Sequence, residues 1–140
     1  SVKRETELGA MLHDVGKIHI PDAIINKPGP LDDDEWKLMK THTIEGQRML
    51  DRVGGFLGSV GEVVRASHER FDGAGYPDGL KGERIPLAAR IVAVCDAFNA
   101  MTTTRSYRPA MSVAEARAEL VRHSGTQFDP LVVDAVLAVT

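Results

Sequence analysis

Apolar residues recur at helical spacing along almost the whole chain, and that periodicity leaves little room for a sheet. Leu8, Met11, Leu12 and Val15 follow a 3.6-residue period, and Gly16 stops the run. Residues 18–31 hold Pro21, Pro28, Gly29 and Pro30 and read as an ordered loop. Asp32 with Glu35 three positions on is an acidic capping box. The helix it opens places Trp36, Met39, Thr43, Gly46, Leu50 and Val53 on one face, with His42 beside that stripe, and runs to Gly54-Gly55. Leu57, Val60, Val64 and His68 space a further helix, with His68 near its C-terminal end on the buried side. Residues 71–86 form a loop whose glycines require a defined turn geometry. Residues 87–101 are the most apolar helical stretch, and Asp96 lies within it, expected to be buried on most faces. A polar loop follows over 102–108. Ser112 with Glu115 caps a helix to about His123, and Asp129 caps a last helix over 131–139 with Pro130 at its first position. The expectation is an all-α bundle formed by a single domain over 1–140.

At 140 residues the chain suffices for one core and not for two. Its 43% apolar and 26% charged residues describe a globular protein, and aromatics at 5% leave the core mainly aliphatic. A net charge of −3 gives no support to a nucleic-acid partner or an anionic membrane, so a phosphate ligand would have to be met by local cations. No apolar run approaches the roughly 20 residues of a membrane span, and no signal-peptide pattern opens the chain. Cys95 is the single cysteine. It excludes an internal disulfide, fits a reducing cytoplasmic setting, and is expected to be a small buried apolar residue.

The candidate chemistry lies in polar residues at positions that should be apolar. His13 and Asp14 stand together at the end of the first helix, and burying a carboxylate without a facing cation is costly. Lys17 cannot serve both. His42, His68 and Asp96 each fall on or near the inner face of a different helix. Singly, each is more readily a hydrogen-bonded core residue or a cap. Together, three imidazoles and two carboxylates facing one core would be unsatisfied without a cation. A ligand set of His and Asp without thiolate suits iron, manganese, zinc or nickel. His19 reads as a loop side chain, and His123 suits the C-terminal end of a helix dipole.

Several stretches resemble the HD-GYP branch of the HD phosphohydrolases. They are His13-Asp14-Val15-Gly16-Lys17-Ile18-His19-Ile20-Pro21-Asp22, Asn26-Lys27-Pro28-Gly29, and His68-Glu69-Arg70-Phe71-Asp72-Gly73-Ala74-Gly75-Tyr76-Pro77. Asp96-Ala97-Phe98-Asn99-Ala100-Met101-Thr102, Arg105-Ser106-Tyr107-Arg108-Pro109 and Gly125-Thr126-Gln127-Phe128-Asp129-Pro130 match as well. The resemblance implies an HD-like bundle that hydrolyses cyclic di-GMP, a bacterial second messenger, to linear pGpG or on to GMP, with two divalent metals. It implies His13, Asp14, His42, His68 and Asp96 as metal ligands, with Asp14 bridging, and Asp14 and Lys17 at the catalytic centre. Lys17, Tyr76, Arg105 and Arg108 are implied as contacts to the dinucleotide. Two metals about 3.5–4 Å apart suit phosphodiester hydrolysis, because they activate a water and clamp the phosphoryl oxygens. Guanidinium groups match phosphate geometry.

The chain departs from the family pattern twice. Ser67 stands where the family has a histidine, which weakens the expected second metal site. A helix carrying a further histidine, usual upstream of the His-Asp pair, is expected to be missing. A module that binds the nucleotide or a partner protein without turnover is therefore the competing reading. Sensor or receiver domains and diguanylate cyclases are the implied partners, and an oligomer is compatible with the sequence.

Overall fold

The computed structural model describes residues 1–105 and 108–140; Ser106 and Tyr107 of the Arg-Ser-Tyr-Arg motif lie outside the described residues. Among the described residues eight α-helices follow in order: α1 (Val2–Leu12), α2 (Asp22–Ile25), α3 (Asp33–Lys40), α4 (His42–Val53), α5 (Leu57–Ala66), α6 (Leu87–Thr102), α7 (Val113–Arg122) and α8 (Pro130–Val139). Short 3-10 turns occupy Val15–His19 and Gly82–Arg84. No β-strand is present among the described residues, in agreement with the all-α reading.

The capping signals act where the sequence places them. Asp32 accepts from the Glu35 amide at 2.8 Å, and Glu35 returns the bond to the Asp32 amide at 3.0 Å. Ser112 accepts from Glu115 N at 3.1 Å, and Asp129 accepts from Leu131 N at 2.8 Å, with Pro130 opening α8. Each satisfies an amide that the helix leaves without an internal partner.

The core is aliphatic and falls into three clusters. Leu50, Val60 and Val64 join α4 to α5 and take Leu8 and Leu12 of α1. Val63, Ala66, Ile85, Ala88, Ala89 and Val92 join α5 to α6. Val94 of α6 meets Leu120, Phe128, Val132 and Val133 around α7 and α8. The second half of the chain is also pinned by one buried ion pair, Arg90 Nη1 to Asp129 Oδ2 at 2.6 Å. Asp129 is 4% exposed, so the same carboxylate caps α8 and neutralises Arg90. Removing one member of a buried pair leaves the other charge uncompensated. Asp129→Ala is therefore expected to lower unfolding stability by about 3–5 kcal/mol, read as a fall in the urea midpoint at unchanged slope.

Five expectations need correction. The helix predicted to run on from Asp32 breaks at Thr41, whose hydroxyl bonds back to the Leu38 carbonyl at 2.6 Å. The stripe does not carry across that break: Thr43, Gly46 and Leu50 of α4 are buried, whereas Trp36 before the break is exposed, as is Val53 at the last position of α4. The loop predicted over 18–31 contains the short helix α2, and the 3-10 turn before it extends to His19. Cys95 is exposed. Val94 takes the inward position against α7 and α8, and the next residue lies about 100° further round the helix. Asp96 is half-exposed, because it sits on the rim of the polar cleft described next.

Candidate metal centre and nucleotide groove

The cleft is assembled from chain ends of helices. His13 follows the last residue of α1, and its Nδ1 donates to the Ala10 carbonyl at 2.7 Å. His42 opens α4 directly after the break at Thr41, and its Nδ1 donates to the Met39 carbonyl at 2.6 Å. In both cases a carbonyl from the last turn of a helix accepts from Nδ1 and so holds its proton. That leaves the Nε2 lone pair of the neutral ring facing outward, the arrangement by which outer groups orient a metal-ligating histidine.

The 3-10 turn Val15–His19 carries Lys17 and is pressed against α4. A Cβ on Gly16 would lie 1.8 Å from the His42 carbonyl oxygen and 2.6 Å from the Gly46 amide nitrogen. This contact between two backbones sets Asp14 opposite His42. His68 lies two residues beyond the end of α5, not within a helix as the spacing suggested. Ser67 ends that helix, and its hydroxyl donates to the Val64 carbonyl at 2.8 Å.

Ligand atoms of Asp14, His42 and His68 lie within 4.8 Å of one another. His13 Nε2 stands 3.4 Å from both Asp14 Oδ2 and Asp96 Oδ1, and Lys17 Nζ is 3.3 Å from Asp14 Oδ1. His42 Nε2 is 3.8 Å from the same Asp14 oxygen, beyond hydrogen-bond range. The Nε2 atoms of His42 and His68 are buried without a hydrogen-bond partner among the described residues. Two buried imidazole nitrogens aimed at one carboxylate, with no donor or acceptor between them, fit a divalent cation and fit little else in the core. The cluster thus unites the five residues expected as ligands with Lys17.

Electrostatics agree for His42 and His68. Burial lowers the His42 pKa and, with the nearby His42 ring, pushes His68 down to about 4, so both stay in the neutral form a metal requires. His13 moves the other way, to about 8, chiefly through its hydrogen bond to Asp96 against the effect of burial. Asp96 is held below the usual carboxylate range by the same bond.

Glu69 is a residue whose role the sequence left unread. It is 4% exposed, and its carboxylate accepts from the Asp78 amide at 2.7 Å and the Leu80 amide at 3.0 Å. It thereby ties the Gly-Tyr-Pro loop to the end of α5. Tyr76 N donates to the His68 carbonyl at 3.2 Å, and a Cβ on Gly75 would fall 2.4 Å from Arg70 N and 2.5 Å from His68 O. The loop can lie this close to the His68 backbone only with glycine there. Arg65 closes the far side with a bidentate pair to Asp78.

The result is that Tyr76 stacks on His68, with ring centroids 5.2 Å apart and planes 7° apart. Burial and the Asp14 charge push the Tyr76 phenol up to about 12, so it remains a donor. From this point a groove of about 800 Å³ opens between the loop and α3, bordered by Trp36, Lys37, Lys40, Arg70 and Gln127 among others. Arg105 and Arg108 do not border it. Arg105 is exposed and pairs through its backbone with Arg108, whose Nη2 donates to the Ala100 carbonyl at 3.2 Å.

Ser67, turned back on α5, contributes nothing to the cluster. A cavity of about 260 Å³ borders it together with His68, Ala93 and Asp96. Ser67→His has room to place an imidazole beside Asp96. The variant is expected to carry more metal per chain than the parent, measured by elemental analysis after dialysis; an unchanged stoichiometry would contradict this.

Comparison with known proteins agrees with the geometry. A family model described as HD domain matches residues 1–132. A cyclic di-GMP phosphodiesterase response regulator of Xanthomonas campestris is 47% identical over 135 residues, covering 96% of this chain and 36% of that protein. A 3'3'-cGAMP-specific phosphodiesterase of Vibrio cholerae is 42% identical over 127 residues, covering 90% of this chain and 24% of that one. The chain therefore spans about a third or less of the length of these curated relatives. Among solved structures, an HDGYP protein of Bdellovibrio bacteriovorus superposes with a TM-score of 0.69 at 25% identity, over 96% of this chain and 44% of that one. No helix among the described residues is long and apolar enough to cross a membrane. With the His-Asp pair, the convergent imidazoles and the loop carrying Gly75-Tyr76-Pro77 all in place, the chain belongs to the HD domain family, in its HD-GYP branch.

Proposed function

We propose that this chain is a metal-dependent phosphodiesterase that hydrolyses a cyclic dinucleotide, cyclic di-GMP foremost, to linear pGpG and/or GMP. The observation that carries the proposal is the convergence of two partnerless buried Nε2 atoms, those of His42 and His68, on Asp14. Asp14, His42 and His68 would hold one divalent cation, and His13 and Asp96, with Asp14 shared, a second. Iron or manganese is proposed first, with zinc or nickel as alternatives of the same ligand chemistry. Bound there, the cations supply Lewis acidity, lowering the pKa of water and offsetting charge on the phosphoryl group.

The chain's own groups do the rest. Asp14 is oriented by Lys17 at 3.3 Å, and Lys17 presents the ammonium that faces a non-bridging phosphoryl oxygen or the departing alkoxide. The Ala10 and Met39 carbonyls fix the rings of His13 and His42, so those rings need little reorganisation when substrate arrives. Tyr76, held protonated, donates toward the substrate from the mouth of the groove. Arg105 and Arg108 are assigned to the second phosphate, which requires Arg108 to exchange the Ala100 carbonyl for a phosphate oxygen. Residues 1–140 are taken as one HD-GYP domain, regulated by sensor or receiver domains.

The test is an assay of cyclic di-GMP hydrolysis under reducing conditions with iron(II) or manganese(II), products separated by chromatography. Metal-dependent appearance of pGpG or GMP is expected. Metal-loaded protein that binds the nucleotide without turning it over would replace this reading with that of a binding module.

A further inference from the structure

Helix α3 contributes no buried residue to the core, yet it carries the chain's single tryptophan. Trp36 is 44% exposed, so core packing does not account for it. Asp33, Trp36, Lys37 and Lys40 follow i, i+3, i+4 and i+7 spacing, which is one face of a helix, and all four border the groove. Along that face two lysines stand against one aspartate, while across the groove the Arg70 guanidinium is already paired with Asp72 at 3.0 Å. Aromatic surface interleaved with cations is the pattern that receives a base and its phosphate together.

Tyr76 is poorly placed for the base. Its ring is already stacked on His68 at 5.2 Å, and Lys40 Nζ lies 5.6 Å from its centroid. Trp36 offers the unengaged aromatic face of the groove. We propose that Trp36 stacks on a purine base of the bound cyclic dinucleotide while Lys37 and Lys40 meet the phosphate or carbonyl edge beside it. The α3 face is then the specificity wall of the site. This inference rests on the phosphodiesterase reading for the identity of the ligand, but it concerns binding and not the chemical step.

Because Trp36 is the sole tryptophan, it reports on its own contact. Cyclic di-GMP is titrated into the protein with and without manganese(II), following tryptophan emission, and affinity is measured independently by calorimetry. Saturable quenching is expected. Trp36→Ala is expected to weaken binding about 10-fold or more, with the loss appearing in KM and not in kcat, and Trp36→Phe is expected to recover most of it. Calorimetric binding with no change in emission, or Trp36→Ala binding as tightly as the parent, would overturn the inference and leave the phosphodiesterase reading standing. Quenching and binding without hydrolysis would do the reverse, supporting the stack and removing the enzymatic reading. No binding of cyclic di-GMP in either condition would overturn both.

Discussion

Asp14→Ala is expected to leave a folded chain that retains almost no divalent metal after dialysis and has no measurable cyclic di-GMP hydrolysis. Asp14 is the carboxylate on which His42, His68, His13 and Lys17 all converge. Loss of a group that only orients a ligand already lowers metal affinity by about 10–100-fold, so loss of the ligand proposed to be shared is expected to exceed that range. The side chain is half-exposed, so its removal opens no core cavity and the fold survives. Elemental analysis and circular dichroism on the same sample separate the two effects. Unchanged metal content in a folded Asp14→Ala protein would remove Asp14 from the centre.

Gly16→Ala is expected to act through the backbone instead. The new methyl would lie 1.8 Å from the His42 carbonyl oxygen, an atom in the first turn of α4 that has no rotamer to change. The 3-10 turn must lift off α4, and it carries Lys17 and the connection to Asp14 with it. The expected stability loss lies at or beyond the upper end of the about 1–3 kcal/mol typical of overpacking, accompanied by loss of metal. A denaturant midpoint close to that of the parent would show that the turn is not seated on α4. The two variants have distinct signatures: Asp14→Ala loses metal without losing stability, and Gly16→Ala loses both.

Much of this arrangement was legible from residues alone, for definable reasons. Caps are local, so Asp32 with Glu35, Ser112 with Glu115, and Asp129 with Pro130 marked three helix starts that the structure keeps. The polar residues set among apolar ones, His13, His42, His68 and Asp96, pointed to one centre because separate burial of each would be unsatisfied. What the pattern missed depends on contacts between distant segments. The break at Thr41 preserves the helical period on both sides, so periodicity runs through it, yet it re-aims Trp36 from the expected core face to the groove. Glu69 had no readable role because the two amides it accepts from lie nine and eleven residues on. Cys95 and Asp96 looked buried because their neighbours in sequence are apolar, whereas exposure is decided by which helices cover α6.

Helices far apart in the chain bring their imidazoles and acids together, and the proposal is that they do so around one cation. Anomalous diffraction from crystals grown with manganese(II) tests it most directly. An anomalous peak is expected within coordination distance of His42 Nε2, His68 Nε2 and an Asp14 oxygen. Crystals whose anomalous density lies only at surface carboxylates, with the Nε2 atoms of His42 and His68 instead bonded to protein or water, would contradict it.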